Sequence, residues 1–300
     1  MRKIYIFIIA LIVILIILFG LSLIIIENFN FGKPKIAKVY LYNEIYFDYS
    51  KKEFPWEERR DARYYINLLD KLMKDNNTKG VLLVINSPGG EVVASEELAE
   101  KVAELSKKKP VVVYIETLAC SGAYMVAAPA NYIVSQRHSI VGSIGVRMDI
   151  IHYYNLMKKL GVNVTTIKAG KYKDIGSPFR PITKEEREYL EKIINETYNY
   201  FVEWVAKYRH IPLNKVYKIA DGKIYTGEDA VKLGLVDQVG SEEDAMKKLK
   251  ELANVTNVEI EEYGLEGGYS LFGLAYYLGR GIGDSLKEIN LGEFYGYINS

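Results

Sequence analysis

The 300-residue sequence predicts an α/β protein with a mostly parallel sheet. Three observations predict it. Short apolar, β-branched runs such as Val81–Ile85 and Val111–Val113 read as strands buried on both faces. Segments with helical spacing alternate with these runs, the pattern of βαβ crossovers. No repeat of 20–50 residues replaces that alternation.

The elements follow in order. Ile4 to Ile26 carries no charge and, as a helix, is about 34 Å long, enough for a bilayer core. No Ala-x-Ala-like cleavage site follows it, so the run reads as a transmembrane anchor over residues 4–26 rather than a removed signal peptide. Arg2 and Lys3 precede it, which makes residues 1–3 a short cytoplasmic N-terminus and leaves the bulk of the chain outside the cell membrane. Residues 27–35 read as a linker and residues 36–260 as one folded domain.

Ile36–Leu41 alternates like a first strand. Trp56 to Met73 has helical spacing through Tyr64, Leu68, Leu69 and Leu72. The Val81–Ile85 strand comes next, then a Val92–Leu105 helix and the Val111 strand. Tyr132–Val134 is another short strand, and His138–Val146 a Gly/Ser loop. A helix over Ile151–Leu160, a strand over Val162–Ile167 and a Lys/Gly-rich loop over Ala169–Pro181 follow. Thr183-Lys184-Glu185-Glu186 is a capping-box pattern that opens a long helix to His210. Three shorter helices run over Leu213–Ile219, Thr226–Leu233 and Ser241–Leu252. Residues 261–300 form a Gly/Tyr-rich tail whose apolar centre, Tyr269–Leu278, is too short to span a bilayer.

Composition excludes several function classes. A net charge of +1 carries no nucleic-acid footprint. The single cysteine, Cys120, excludes a disulfide framework and any cysteine-clustered metal site. His138, His152 and His210 have no metal-ligand spacing, and neither a Walker A nor a GxGxxG motif occurs. No metal or cofactor is implied.

The residues that point to chemistry begin at Ala119-Cys120-Ser121-Gly122-Ala123, small residues between a buried strand and a buried helix. A hydroxyl at that turn sits where free backbone N–H groups stabilise an oxyanion, which marks Ser121 as a candidate nucleophile. Its commoner role would be ordinary helix capping. Cys120, one residue earlier, reads as buried packing. Asn86-Ser87-Pro88-Gly89-Gly90 is a strand-to-helix turn with two glycines, suited to an oxyanion hole or to nothing but the turn. A base for Ser121 is needed. His138 lies beside Arg137, as in an exposed turn. A lysine serves instead where burial lowers its pKa, and the Gly170–Pro178 stretch offers Lys171 and Lys173. Physical chemistry alone leaves both open, with solvated loop lysines as the plain alternative. Ser143, between glycines 142 and 145, is either an amine-orienting hydroxyl or turn chemistry.

Taken together, these segments resemble the signal peptide peptidase A family, membrane-anchored Ser-Lys proteases of the ClpP/crotonase superfamily. The resemblance runs from about Lys35 to Leu252. It is carried by NSPGG at Asn86–Gly90, CSGAY at Cys120–Tyr124, VGSIGV at Val141–Val146 and KAGKYKDIGSP at Lys168–Pro178. PITKEERE at Pro181–Glu188 and IADGKIYTGEDAVKLGLVDQVG at Ile219–Gly240 extend it. It implies Ser121 as nucleophile and Lys173, 52 residues later, as base. Ser143 would orient the lysine, and the amides of Gly90 and Gly122 would form the oxyanion hole. It further implies a crotonase-like spiral, a homo-oligomer with a groove between subunits, and peptide substrates that are remnants of signal peptides. The neighbouring readings are an NfeD-type membrane Ser-Lys protease and a non-catalytic membrane assembly protein on the same fold.

Overall fold

The strands of the central sheet follow from the β-branched runs. In the computed structural model, which describes residues 12–19, 33–50 and 60–265, β1 (Lys35–Tyr42), β2 (Thr78–Ser87) and β3 (Val111–Cys120) lie side by side and parallel. Their register sets Val39 opposite Leu83 and Val84 opposite Tyr114. The lower half of β3 pairs in parallel with β4 (Tyr132–Ser135), and its last residues, Leu118–Cys120, pair with β5 (Ile140–Gly142). β6 (Ile224–Thr226) closes one edge antiparallel to β5, β7 (Gln238–Val239) pairs with β4, and β8 (Glu259–Tyr263) closes the other edge on β1. The result is an α/β fold on a mostly parallel sheet.

Alternation along the strands gives the sheet two apolar faces. One carries Val81, Leu83, Ile85, Val113 and Ile115 and is covered by α1 (Ala62–Lys74), α2 (Val92–Ser106) and α3 (Gly122–Ala127). Asp61 caps α1 by accepting the Tyr64 N–H at 3.1 Å, and Leu68, Leu69 and Leu72 form its buried stripe. The opposite face carries Leu82, Val84, Val112 and Tyr114. It is covered by Ala245 and Leu249 of a late helix, Glu242–Leu252.

Between β5 and the last half of the longest helix the chain is little packed. The short α4 (Tyr154–Lys159) buries none of its residues. The long α5 (Lys184–Arg209) buries Phe201, Val202, Trp204 and Val205 in its second half and, of its first half, only Glu186. The Trp204 indole N–H donates to the Met125 carbonyl at 2.9 Å, which fixes α5 against α3. α6 (Leu213–Ile219), α7 (Gly227–Lys232) and α8 (Glu242–Leu252) follow. The capping box at Thr183 is present as the sequence predicts.

Three expectations change. Val162–Ile167 is not a strand: among the described residues no strand pairs with it, and Ile167 is 96% exposed. The helix predicted from Ile151 starts at Tyr154. The Gly/Ser loop from His138 to Val146 contains β5, held by pairing to β3 and β6 rather than by its own propensity. Of the anchor expected over residues 4–26, only a helical stretch over 12–19 is described. Among the described residues no helix is long and apolar enough to cross a membrane. The chain divides into two units, Met1–Tyr263 and Gly264–Ser300, and the tail beyond 265 lies outside the described residues.

Candidate active site

β3 runs to Cys120 and stops because Ser121 leaves extended geometry, with φ 52° and ψ −126°. A non-glycine residue there stores about 1–3 kcal/mol of strain. The surroundings hold it in place. The Ser121 N–H donates to the Gly142 carbonyl at 2.8 Å, and the Ser121 carbonyl accepts the N–H groups of Tyr124 and Met125 at 2.9 and 3.1 Å. The side chain, by contrast, caps nothing: Oγ makes no hydrogen bond to the helix it precedes. Ordinary capping is therefore not what this serine does.

The NSPGG turn packs directly on this residue. A Cβ on Gly89, whose φ is 95°, would lie 2.6 Å from the Gly122 nitrogen and 2.9 Å from the Ser121 Cβ. A Cβ on Gly90 would lie 1.9 Å from the Ile45 carbonyl oxygen, so only glycine fits that approach. The turn is tied to the chain after β1. Ile45 donates its N–H to the Gly89 carbonyl at 2.9 Å and accepts the Glu91 N–H at 2.8 Å. That pairing uses the residues on either side and leaves the Gly90 N–H without a backbone partner. The Gly122 N–H, at the first position of α3, is likewise free. A Cβ on Gly122 would be 3.5 Å from the Gly90 nitrogen and 2.1 Å from the Ser95 Oγ. Two unbonded amides thus lie close together beside a strained serine, which is the geometry of an oxyanion hole.

Ser143 enters through β5. Gly142, with φ 104°, presents its carbonyl to Ser121, and Ser143, with φ 49°, donates its own N–H to the Lys223 carbonyl at 2.8 Å. The structure therefore brings Ser121, Gly90, Gly122 and the Ser143 turn together. Cys120 is buried, and burial pushes its thiol up to about 11, which makes it a poor nucleophile.

Lys173 is placed differently. It sits in a run of turns, exposed, and its amine makes no hydrogen bond or ion pair within the described chain, so it is not joined to Ser121 or Ser143. Its neighbours are all paired. Lys171 is ion-paired with Glu185, which also accepts the Tyr172 hydroxyl at 2.8 Å. Asp174 is held by Lys168 and by Arg180, and Glu186 by Arg180. The hydrogen bond to Glu185 raises the Lys171 pKa above its ordinary value. Sequence reasoning missed three of these contributors: Ile45, which carries the oxyanion turn; Ser95, which packs on Gly122; and Arg180. The DIGSPFR run at Asp174–Arg180 held the signal for the last.

Peptidase family S49 matches residues 103–256. A candidate protease of Methanocaldococcus jannaschii is 67% identical over 300 residues, covering 97% of this chain and 96% of its own length. A candidate signal peptide peptidase of Enterococcus faecium is 35% identical over 233 residues, covering 77% of this chain and 67% of that protein. A chloroplast serine protease of Arabidopsis thaliana is 34% identical over 195 residues, 65% of this chain and 29% of that one. A strained, uncapped serine beside two free amides, on a chain with these relatives, means that this protein belongs to peptidase family S49 of serine proteases.

Proposed function

We propose that the protein is a membrane-anchored serine endopeptidase in which Ser121 is the nucleophile and Lys173 the base. The observation that carries this reading is Ser121 itself, strained, uncapped and next to the free Gly90 and Gly122 amides. Lys173 takes the Ser121 proton as Oγ attacks the peptide carbonyl. The carbonyl π electrons move to oxygen, and the two amides receive the oxyanion. Collapse expels the amine, which takes the proton back from Lys173 and leaves an acyl-enzyme. Water, deprotonated by Lys173, then releases the acid and frees Ser121. Ser143 orients the lysine amine.

Lys173 reaches Ser121 from a neighbouring subunit of a homo-oligomer in this reading. Its exposure and lack of partners among the described residues support that, as do the exposed apolar residues on the same stretch, Leu156, Leu160 and Ile167 among them. The fold is a crotonase/ClpP-like spiral. Residues 4–26 anchor it as a single transmembrane helix, with the N-terminus in the cytoplasm and the catalytic domain outside. Its substrates are membrane-associated peptides, remnant signal peptides first. The relative named as a signal peptide peptidase supports the substrate class.

The test is labelling by a serine-reactive fluorophosphonate, with hydrolysis of a chromogenic peptide measured in parallel. The wild type should label and cleave. Ser121→Ala should do neither, and Lys173→Met should lose hydrolysis. Labelling of Ser121→Ala at the wild-type level would move the nucleophile elsewhere.

A further inference from the structure

We infer that Arg180 is a positioning residue for the base: it fastens the Lys173 loop to the start of α5 and occupies the acid next to Lys173. This rests on the reading of Lys173 as the base.

The geometry is a double fork. The Arg180 Nε and Nη2 donate to the two Asp174 carboxylate oxygens, both at 2.8 Å, and Nη2 also reaches the Asp174 carbonyl at 3.2 Å. Nη1 and Nη2 donate to the Glu186 carboxylate at 2.8 and 2.5 Å. Glu186 is 5% exposed and accepts the Thr183 N–H at 3.0 Å, so one arginine links the loop to the capping box of α5. Bidentate contacts on both sides fix orientation as well as distance, which a lysine cannot do.

The second part is charge. Asp174 follows Lys173 directly. Left free, its carboxylate would be open to a neighbouring cation, as Glu185 is to Lys171. Arg180, with Lys168, takes Asp174 instead and holds its carboxyl well below the usual range. The other charged groups around the loop are also accounted for. Lys171 and Tyr172 meet Glu185, Tyr172 stacks on Tyr189, and Arg147 pairs with Asp149 on the stretch that donates the Tyr153 N–H to Pro178. Among the described residues, Lys173 alone of the cations in 168–180 has no acid, the state a general base needs.

The experiment uses the full-length protein. It records kcat and KM for a chromogenic peptide across pH, with thermal melts, for wild type, Arg180→Gln, Arg180→Lys, Asp174→Asn and Lys173→Met. Arg180→Gln should lower kcat about 10²-fold through misplacement, with KM little changed. It should also move the rising limb of the pH–rate profile upward, because two uncompensated carboxylates now favour the charged amine. Arg180→Lys should restore the limb but only part of kcat. Asp174→Asn, which removes an acid beside the base, should lower kcat yet shift the limb downward. These opposite shifts are beyond a merely structural role, and Asp174→Asn keeps the test alive if Arg180→Gln fails to fold. Wild-type kcat in Arg180→Gln, or a limb that stays put in the folded variants, overturns the assignment of Arg180. Retained activity in Lys173→Met overturns the underlying assignment of the base, whatever Arg180 does.

Discussion

At the scale of single residues, the site keeps a conformation that costs stability. Ser121 keeps an unusual φ and ψ beside the Gly89–Gly90 turn, a region that glycine adopts freely. Ser121→Gly should therefore be inactive yet more stable than Ser121→Ala by about 1 kcal/mol in thermal melts. Equal melting of the two would mean that Ser121 is unstrained. Either variant should lose on the order of 10⁶-fold in kcat if Ser121 is the nucleophile. The lysines separate in the same way. Lys171→Met removes only an exposed ion pair and should keep most activity, while Lys173→Met should be inactive. An active Lys173→Met beside an inactive Lys171→Met would reverse their roles.

At the scale of elements, the proposed oxyanion hole depends on the chain that follows β1 as much as on β3. Gly90→Ala forces a Cβ into the Ile45 carbonyl, so the turn must move and one donor leaves the hole. A loss of about 10²–10³-fold in kcat is expected, with the sheet intact by circular dichroism. The start of α5 has a pH signature. Hydrogen bonds from Arg180 and the Thr183 N–H depress Glu186 to about 2. The stabilisation this gives is complete above the unfolded glutamate value of about 4.3 and disappears as pH falls through the folded one. Thermal melts of wild type and Glu186→Gln should therefore differ at neutral pH, draw together as pH falls below about 4.3, and meet only near the folded value of about 2. A gap that widens on acidification would contradict the ion-pair assignment.

Much of the sheet was legible because β2 and β3 are continuous β-branched runs that only a doubly buried strand explains. β6 and β7, three and two residues long, carry no period to read, and β5 hides its Ile140–Gly142 pairing inside a loop-like composition. Val162–Ile167 alternates well but finds no partner strand among the described residues. Ser121 was legible as a small-residue turn, whereas the choice between Lys171 and Lys173 was not. The acid that pairs with Lys171, Glu185, lies across a fold-back of the chain that no local pattern encodes.

At the scale of the whole molecule, the unpartnered lysine and the exposed apolar stretch around it make assembly the expected state. The body lacking residues 1–35 should be a ring-like oligomer by light scattering, and a fully active monomer would refute that. Mixing is a sharper check. Co-expressed Ser121→Ala and Lys173→Met subunits, each inactive alone, should regain part of wild-type hydrolysis, since some mixed interfaces join an intact serine to an intact lysine. No recovery in verified mixed oligomers would place both groups in one chain. For topology, protease added to wall-stripped cells should digest the catalytic domain; protection until lysis would put that domain in the cytoplasm.

The pairing of Ile45 around Gly90 has a spectroscopic consequence. Ile45 and Glu91 have their N–H groups bonded, while Gly90 between them does not. In the free enzyme the Gly90 amide should therefore trade its proton for deuterium much faster than either flanking amide. Once an acyl group fills the site and its oxygen accepts that N–H, the exchange should slow and the proton resonance move downfield, together with that of Gly122. Two backbone signals, assigned once in isotope-labelled protein, would then report site occupancy for any ligand without a chromophore or a measured turnover.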